Sequence, residues 1–293
     1  MEKTRTVSRP GFGSWKQSRL LNAWVDALTI PEIIERLDEG MLFTLNPDHL
    51  YHLQRNPDFA AAYADAVMVS SDSKYVFWAL GAIGRPIKCK TSGSDIVPAY
   101  YKHHANNPDV SIFFLGAKPG VAQMALERVN GIVGRDIVVG AHGPSFNFVN
   151  DPEESAKVIE MINASGATCL IVGLGAPKQE VWMHRNRHLL PGVKVYMGVG
   201  AVIDYEAEAV KRAPGWMNRN GLEWVYRITT EPKRYWRRYA RTLEFFWLVA
   251  FDKLGLYRAP KFLSPATDPR RESEAAAPSA SRASGHNSSF QGH

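Results

Sequence analysis

The sequence predicts an α/β protein: a Rossmann-like, largely parallel sheet with helices on both faces, extended by a basic helical appendage at the C-terminal end. Three observations carry that prediction. Short apolar, β-rich runs alternate with helix-patterned segments between residues 41 and 199. Glycines mark the strand-to-helix turns, with a proline at the helix start in two of them. From residue 211 the alternation stops and the chain turns basic and aromatic.

Taken in order, residues 41–44 read as a strand and 47–63 as helical. Residues 66–70 read as the next strand, and 74–80 as a helix opening after Ser71-Asp72-Ser73. The run SIFFL at 111–115 is the clearest strand; it ends at Gly116, with a helix over 120–130 and a strand over 137–139. Residues 152–165 read as a helix whose acidic first turn suits the positive end of the helix dipole. A strand over 169–172 leads into a turn and a helix, and 195–199 is a further strand. In sheets of this kind ligands bind in crevices beyond the C-terminal strand ends.

Composition narrows the class. The chain has 293 residues, 45% hydrophobic and 22% charged, enough to bury a full core. Its net charge of +6 points to anionic partners: phosphate-bearing substrates, nucleic acid or an anionic membrane surface. Two cysteines, Cys89 and Cys169, without a C-x-x-C pair exclude a disulfide framework. The opening residues are polar and basic, with no secretory signal, and no run reaches the ~18 apolar residues of a spanning helix. The expectation is a cytoplasmic protein that touches a membrane without crossing it. Four segments follow: a polar leader at 1–18, a core at 19–210, a basic and aromatic appendage at 211–262, and a tail at 263–293. Residues 211–241 hold nine Lys and Arg against two Glu, an excess greater than that of the whole chain, and Phe245 to Phe251 is an aromatic stretch. The tail is rich in Ser, Ala and Pro and reads as disordered.

Three turns have the composition to hold a nucleotide. Gly116-Ala117-Lys118-Pro119-Gly120 follows one strand, and Gly175-Ala176-Pro177-Lys178-Gln179 follows another. Open N–H groups and the dipole at such helix starts attract phosphate; the plain alternative is a tight βα turn without ligand. Gly198-Val199-Gly200 forms the third, and Asp204 beyond it can bind a sugar or ribose hydroxyl or cap a helix. None matches the P-loop or G-x-G-x-x-G pattern. Asp72, between a strand and a helix, is either an N-cap or a carboxylate facing a crevice. No D-x-D pair occurs, and His184 and His188 lack the glutamate of H-E-x-x-H, so no metal site is expected.

Three blocks go beyond generic α/β: Thr44-Leu45-Asn46-Pro47-Asp48-His49; Gly173 to Trp182, containing GAPKQE; and Gly198 to Arg238, containing Gly221-Leu222-Glu223-Trp224, Arg227 and Glu231-Pro232-Lys233-Arg234. Over residues 20–258 the chain strongly resembles the WecG/TagA/CpsF glycosyltransferases. The resemblance implies an inverting, metal-independent hexosyltransferase without cofactor. Its substrates would be a UDP-sugar, carrying N-acetylmannosamine, its uronic acid or a hexose such as glucose, and a polyprenyl-diphosphate-linked saccharide in surface polysaccharide synthesis. It implies Asp72 as the base, Thr44 and Asn46 near the donor sugar and the base, Gln179 in the active pocket contacting donor or acceptor, and Arg227, Arg234 and Arg237 closing on diphosphate. It also implies a peripheral position on the inner face of the membrane, and related proteins suggest self-association. The chain departs from the family pattern in having Ser73 after Asp72 instead of glycine, Lys90 for an arginine at the acceptor-diphosphate position, and Glu208 for a glycine. A lysine keeps the charge but loses the bidentate fork. The Lys90 and Glu208 departures leave open a nonenzymatic, membrane-associated nucleotide-sugar-binding subunit. A nucleic-acid binder, the rival reading of the basic segment, leaves GAPKQE unexplained.

Overall fold

The computed structural model describes residues 3–9, 13–210, 213–214, 216–217, 220–230 and 232–263; at 8, 9, 223, 227 and 232–242 it describes the backbone alone. Six strands form one parallel sheet: β4 (Gly40–Leu45), β5 (Met68–Ser71), β6 (Ile112–Gly116), β7 (Val138–His142), β8 (Cys169–Gly173) and β9 (Val195–Gly198), in spatial order β5-β4-β9-β8-β6-β7. Most of their residues are buried, as expected of parallel strands covered on both faces.

Helices α1 (Ile30–Arg36), α5 (Gly93–His103), α6 (Val121–Val133) and α9 (Val202–Glu206) pack together against one face. On the other, α2 (Pro47–Leu53) contacts α3 (Pro57–Asp65), α3 contacts α8 (Lys178–Asn186), and Trp182 of α8 donates to Ser155 of α7 (Pro152–Ser165). The connection leaving β6 moves outward to β7, whereas the one leaving β8 returns to β9. The strand order reverses between these neighbours, which opens a crevice at their C-terminal ends.

The segment at 47–63 is two helices rather than one. Asn56 accepts the Phe59 N–H, and Pro57, lacking an N–H, starts α3. Residues 4–9 and 13–20, expected within or beside a polar leader, are strands β1 (Thr4–Arg9) and β2 (Gly13–Leu20), forming an antiparallel sheet with β3 (Ala23–Asp26). The polar residues of β2 mislead because two of them, Gln17 and Ser18, are themselves buried together with Trp15 and Leu20. Asp26 joins this small sheet to β5, accepting from the Trp15 indole, Gln17 Nε2 (2.7 Å) and the Val69 N–H (2.7 Å).

Residues 1–260 form one compact unit. The C-terminal helix Pro232–Lys253 packs on α2 and buries Phe245. Its Asp252 receives the Arg85 guanidinium at 2.9 and 3.1 Å, and Glu244 pairs with Arg55 at 2.6 Å. In the second unit, 261–293, the described residues are a short turn at Lys261–Leu263; the rest of the expected tail lies outside the described residues. Among the described residues no helix is long and apolar enough to cross a membrane.

Candidate active site

At the C-terminal edge of the sheet, turns far apart in sequence converge. β5 runs straight into Asp72, whose N–H donates to the Leu45 carbonyl at 2.9 Å and so extends the ladder with β4. α4 (Lys74–Ala82) then begins, and its N-cap is Ser73, whose hydroxyl accepts the Tyr75 N–H at 3.2 Å. The cap alternative left open by the sequence therefore goes to Ser73. Asp72 is left half-buried at the strand end. Thr91 N donates to the Ser71 carbonyl at 2.9 Å, which sets Lys90 next to the same strand end.

Thr44 and Asn46 close β4. The Thr44 hydroxyl donates to the Gly198 carbonyl at 3.2 Å, tying β4 to the end of β9. Asn46 caps α2, accepting the N–H groups of Asp48 (3.0 Å) and His49 (3.2 Å). Both residues are buried, and the described contacts of their side chains hold the edge together.

The glycine turns pack backbone against backbone. A Cβ on Gly116, at φ +138°, would stand 2.6 Å from the carbonyl of Gly173; one on Gly173 would stand 2.6 Å from the Gly200 oxygen. Only glycine permits this approach of the β6, β8 and β9 turns. Gln179, 1% exposed, then fastens two of them. Its Oε1 accepts the N–H of Gly175 (3.0 Å) and of Gly200 (3.2 Å). These two donors are therefore engaged within the protein, and what Gly175 and Gly200 contribute is their left-handed backbone, at φ +80° and +60°. Ala176 and Pro177 complete the β8 turn, joined by a cis peptide bond. A Cβ on Gly198 would lie 3.2 Å from Gln179 Nε2. Asp204 lies half-buried in the first turn of α9, beyond Gly200.

Thr44, Asn46, Asp72, Lys90, Gly116, Gly175, Ala176, Pro177, Gly198, Gly200 and Gln179 thus belong to one edge. The side chains of Arg227, Arg234 and Arg237 lie outside the described residues. What leads into their helices is placed: Tyr75, three residues after Asp72, donates its hydroxyl to the Gly221 carbonyl at 3.2 Å, and Trp78 packs on Gly221.

Sequence reasoning gave no role to a buried polar group behind the edge. Glu180 is 0% exposed and accepts from Gln179 Nε2 at 2.8 Å. His49 Nε2 lies 3.8 Å from Glu180 Oε1, and its Nδ1 lies 2.6 Å from the Tyr63 hydroxyl. Burial, then the negative charges of Glu180 and Asp72, push the Tyr63 phenol well above its ordinary range, so it stays a neutral hydroxyl. His49 and Glu180 were visible as letters of two motif blocks, without a signal that they would be buried together.

The Glycosyl transferase WecG/TagA/CpsF family model matches residues 18–259. The chain belongs to this glycosyltransferase family. A relative in Bacillus spizizenii, N-acetylglucosaminyldiphosphoundecaprenol N-acetyl-beta-D-mannosaminyltransferase, is 33% identical over 200 residues, 68% of this chain and 74% of its own. As a WecG/TagA/CpsF member the chain is a hexosyltransferase, and its departures from the family pattern acquire structural reasons. Glu208 stands at φ +53°, the left-handed region where glycine is least strained, and its carboxylate meets Arg128 at 2.6 Å. Ser73, where the family has glycine, is the α4 cap.

Proposed function

We propose that this chain is an inverting, metal-independent transferase that moves N-acetylmannosamine from UDP to a polyprenyl-diphosphate-linked saccharide, in the synthesis of a bacterial surface polymer. The observation that carries the reading is the position of Asp72. It is a strand-end carboxylate whose neighbour takes the capping role, on the edge where the glycine turns converge.

In this mechanism the acceptor hydroxyl attacks the anomeric carbon from the face opposite UDP. The Asp72 carboxylate takes the hydroxyl proton as the new C–O bond forms. The bond to the UDP oxygen breaks with its electron pair on the diphosphate, and the anomeric configuration inverts. The β6, β8 and β9 turns form the donor wall, and Asp204 accepts from ribose or sugar hydroxyls. Lys90, Arg227, Arg234 and Arg237 supply positive charge to the two diphosphates. The choice of N-acetylmannosamine, and of a polyprenyl acceptor, rests on the name of the Bacillus relative.

A lipid acceptor calls for contact with the membrane. Leu243, Phe246, Trp247 and Phe251 are exposed on the C-terminal helix, Trp247 by 69%. The same helix carries Arg234, Arg237, Arg238 and Arg241 in its sequence. Exposed apolar side chains on a helix whose sequence is rich in arginine suit the interface of an anionic bilayer, which supports a peripheral position on its inner face.

The test is UDP release from UDP-N-acetylmannosamine in the presence of N-acetylglucosaminyl-diphospho-undecaprenol, with UDP-glucose and UDP-N-acetylmannosaminuronic acid run in parallel. Acceptor-dependent release from UDP-N-acetylmannosamine alone is the expected result. Release from another donor only would move the sugar assignment, and UDP binding without release from any donor would contradict the catalytic reading of this edge.

A further inference from the structure

We propose that Glu180, His49 and Tyr63 form a buried positioning chain that fixes the side-chain amide of Gln179 and so locks the β8 and β9 turns into their donor-binding shape. The inference rests on the proposed function for the identity of the ligand, and on the geometry for the chain itself.

Gln179 can present its amide in two orientations. In the observed one, Oε1 faces the N–H groups of Gly175 and Gly200, and Nε2 faces the Glu180 carboxylate at 2.8 Å. The flipped orientation would set N–H against two N–H donors and a carbonyl oxygen against a carboxylate. Every one of those contacts is repulsive, so Glu180 and the two glycine N–H groups together select the orientation that cross-links the two turns. Without Glu180 the Nε2 side would lose its acceptor, and the amide would be held from the Oε1 side alone.

Glu180 is held in turn. It occupies the first turn of α8, where the helix dipole favours a carboxylate, and the His49 imidazole stands 3.8 Å away. The imidazole is fixed from its other side by the Tyr63 hydroxyl at 2.6 Å and by edge-on packing of its ring against Phe59 at 5.6 Å. The chain therefore runs from α3 through α2 to α8, and ends on backbone N–H groups of two turns 25 residues apart (Gly175 and Gly200). A group this polar at the centre of a packed edge is a costly core filler. Its geometry makes sense as support for loops that must be rigid before substrate arrives.

The experiment compares wild type, Glu180→Ala, Glu180→Gln and Tyr63→Phe in the full-length protein. Hydrogen exchange of the Gly175 and Gly200 amides is followed by NMR, with the Gly134 amide, at the far end of α6, as internal control. Glu180→Ala is expected to speed exchange at Gly175 and Gly200 by about tenfold or more while Gly134 is unchanged. UDP affinity, measured calorimetrically, should fall by about tenfold, and the donor KM should rise while the acceptor KM holds. Glu180→Gln keeps an oxygen that can accept from Gln179 and should recover most of the loss; Tyr63→Phe should fall between. Unchanged exchange at both glycines, or a rise shared equally by Gly134, would overturn the proposal. If Glu180→Ala does not fold, Glu180→Gln and Tyr63→Phe read the same amides, and wild-type exchange in Tyr63→Phe overturns the chain. Failure of the wild type to bind UDP would remove the donor reading and leave the exchange result to decide the positioning chain by itself.

Discussion

Asp26 and Glu180 are both buried carboxylates ringed by donors, yet they serve different regions. Asp26 lies where the small antiparallel sheet meets β5, and its described donors, Trp15, Gln17 and the Val69 N–H, come from strands. The group thus joins one sheet to another. Glu180 lies at the C-terminal edge, and the group it orients ends on two turns that the topology brings together from separate crossovers. Burial and polarity are alike in the two places. What separates a frame from a site is whether the polar group organises turns at the C-terminal strand ends, where the strand order reverses.

That contrast can be broken in the frame first. Arg85, 7% exposed in its side chain, bonds the Arg19 carbonyl of β2 and grips Asp252 of the C-terminal helix. Arg85→Met removes the cation from that carboxylate, leaving it the Leu21 N–H, and should cost about 3–5 kcal/mol in a denaturant titration, the largest stability loss expected here. Asp26→Ala strands the donors of Trp15, Gln17 and Val69 and should cost about 2–4 kcal/mol, with turnover per folded molecule retained. The pH dependence sharpens this case. Burial raises the Asp26 carboxyl, so the folded chain binds that proton more tightly than the unfolded chain. Its contribution is full below the ordinary pKa of 3.8 and declines as pH rises through the folded value. Comparison of wild type with Asp26→Ala should show that decline in the wild type alone.

At the edge the expected losses fall on binding as well. Gly116→Ala sets a Cβ against the Gly173 backbone at a φ that disfavours alanine, and should cost about 2 kcal/mol with UDP bound about tenfold more weakly. A stable Gly116→Ala protein with unchanged UDP affinity would show that the β6 turn does not form the donor wall. The smallest effect is expected at Glu208→Gly, outside the converged turns. Relief of the left-handed backbone outweighs loss of an exposed pair with Arg128, giving a gain below about 1 kcal/mol and unaltered turnover.

Much of this architecture was legible in the sequence because apolar runs such as 111–115 and 169–172 can hardly be anything but buried parallel strands. The small sheet was not, since β2 buries polar Gln17 and Ser18 and its sequence looks like a solvated leader. Helix α5 was missed because it carries Pro98 and opens on Ser92-Gly93-Ser94, which reads as a turn. At the site, motif blocks pointed to Thr44, Asp72 and Gln179, but contacts across the chain decide what each does. Asp72 could not be told from a cap until Ser73 was seen to hold the Tyr75 N–H. Gln179, a pocket residue by resemblance, is buried between two turns and bonded to both. Glu180 and His49 carried no signal because charged side chains are expected at the surface.

The central claim is that neighbouring residues divide two tasks, with Ser73 starting the helix and Asp72 taking the proton. The direct measurement is turnover and thermal stability of Asp72→Asn and Ser73→Ala side by side, with UDP-N-acetylmannosamine and the lipid acceptor. Asp72→Asn should lose at least about a hundredfold in kcat at near-wild-type stability. Ser73→Ala should lose about 1 kcal/mol of stability while keeping most of its turnover. Wild-type turnover in Asp72→Asn, coupled to the stability loss expected of a missing cap, would contradict the account.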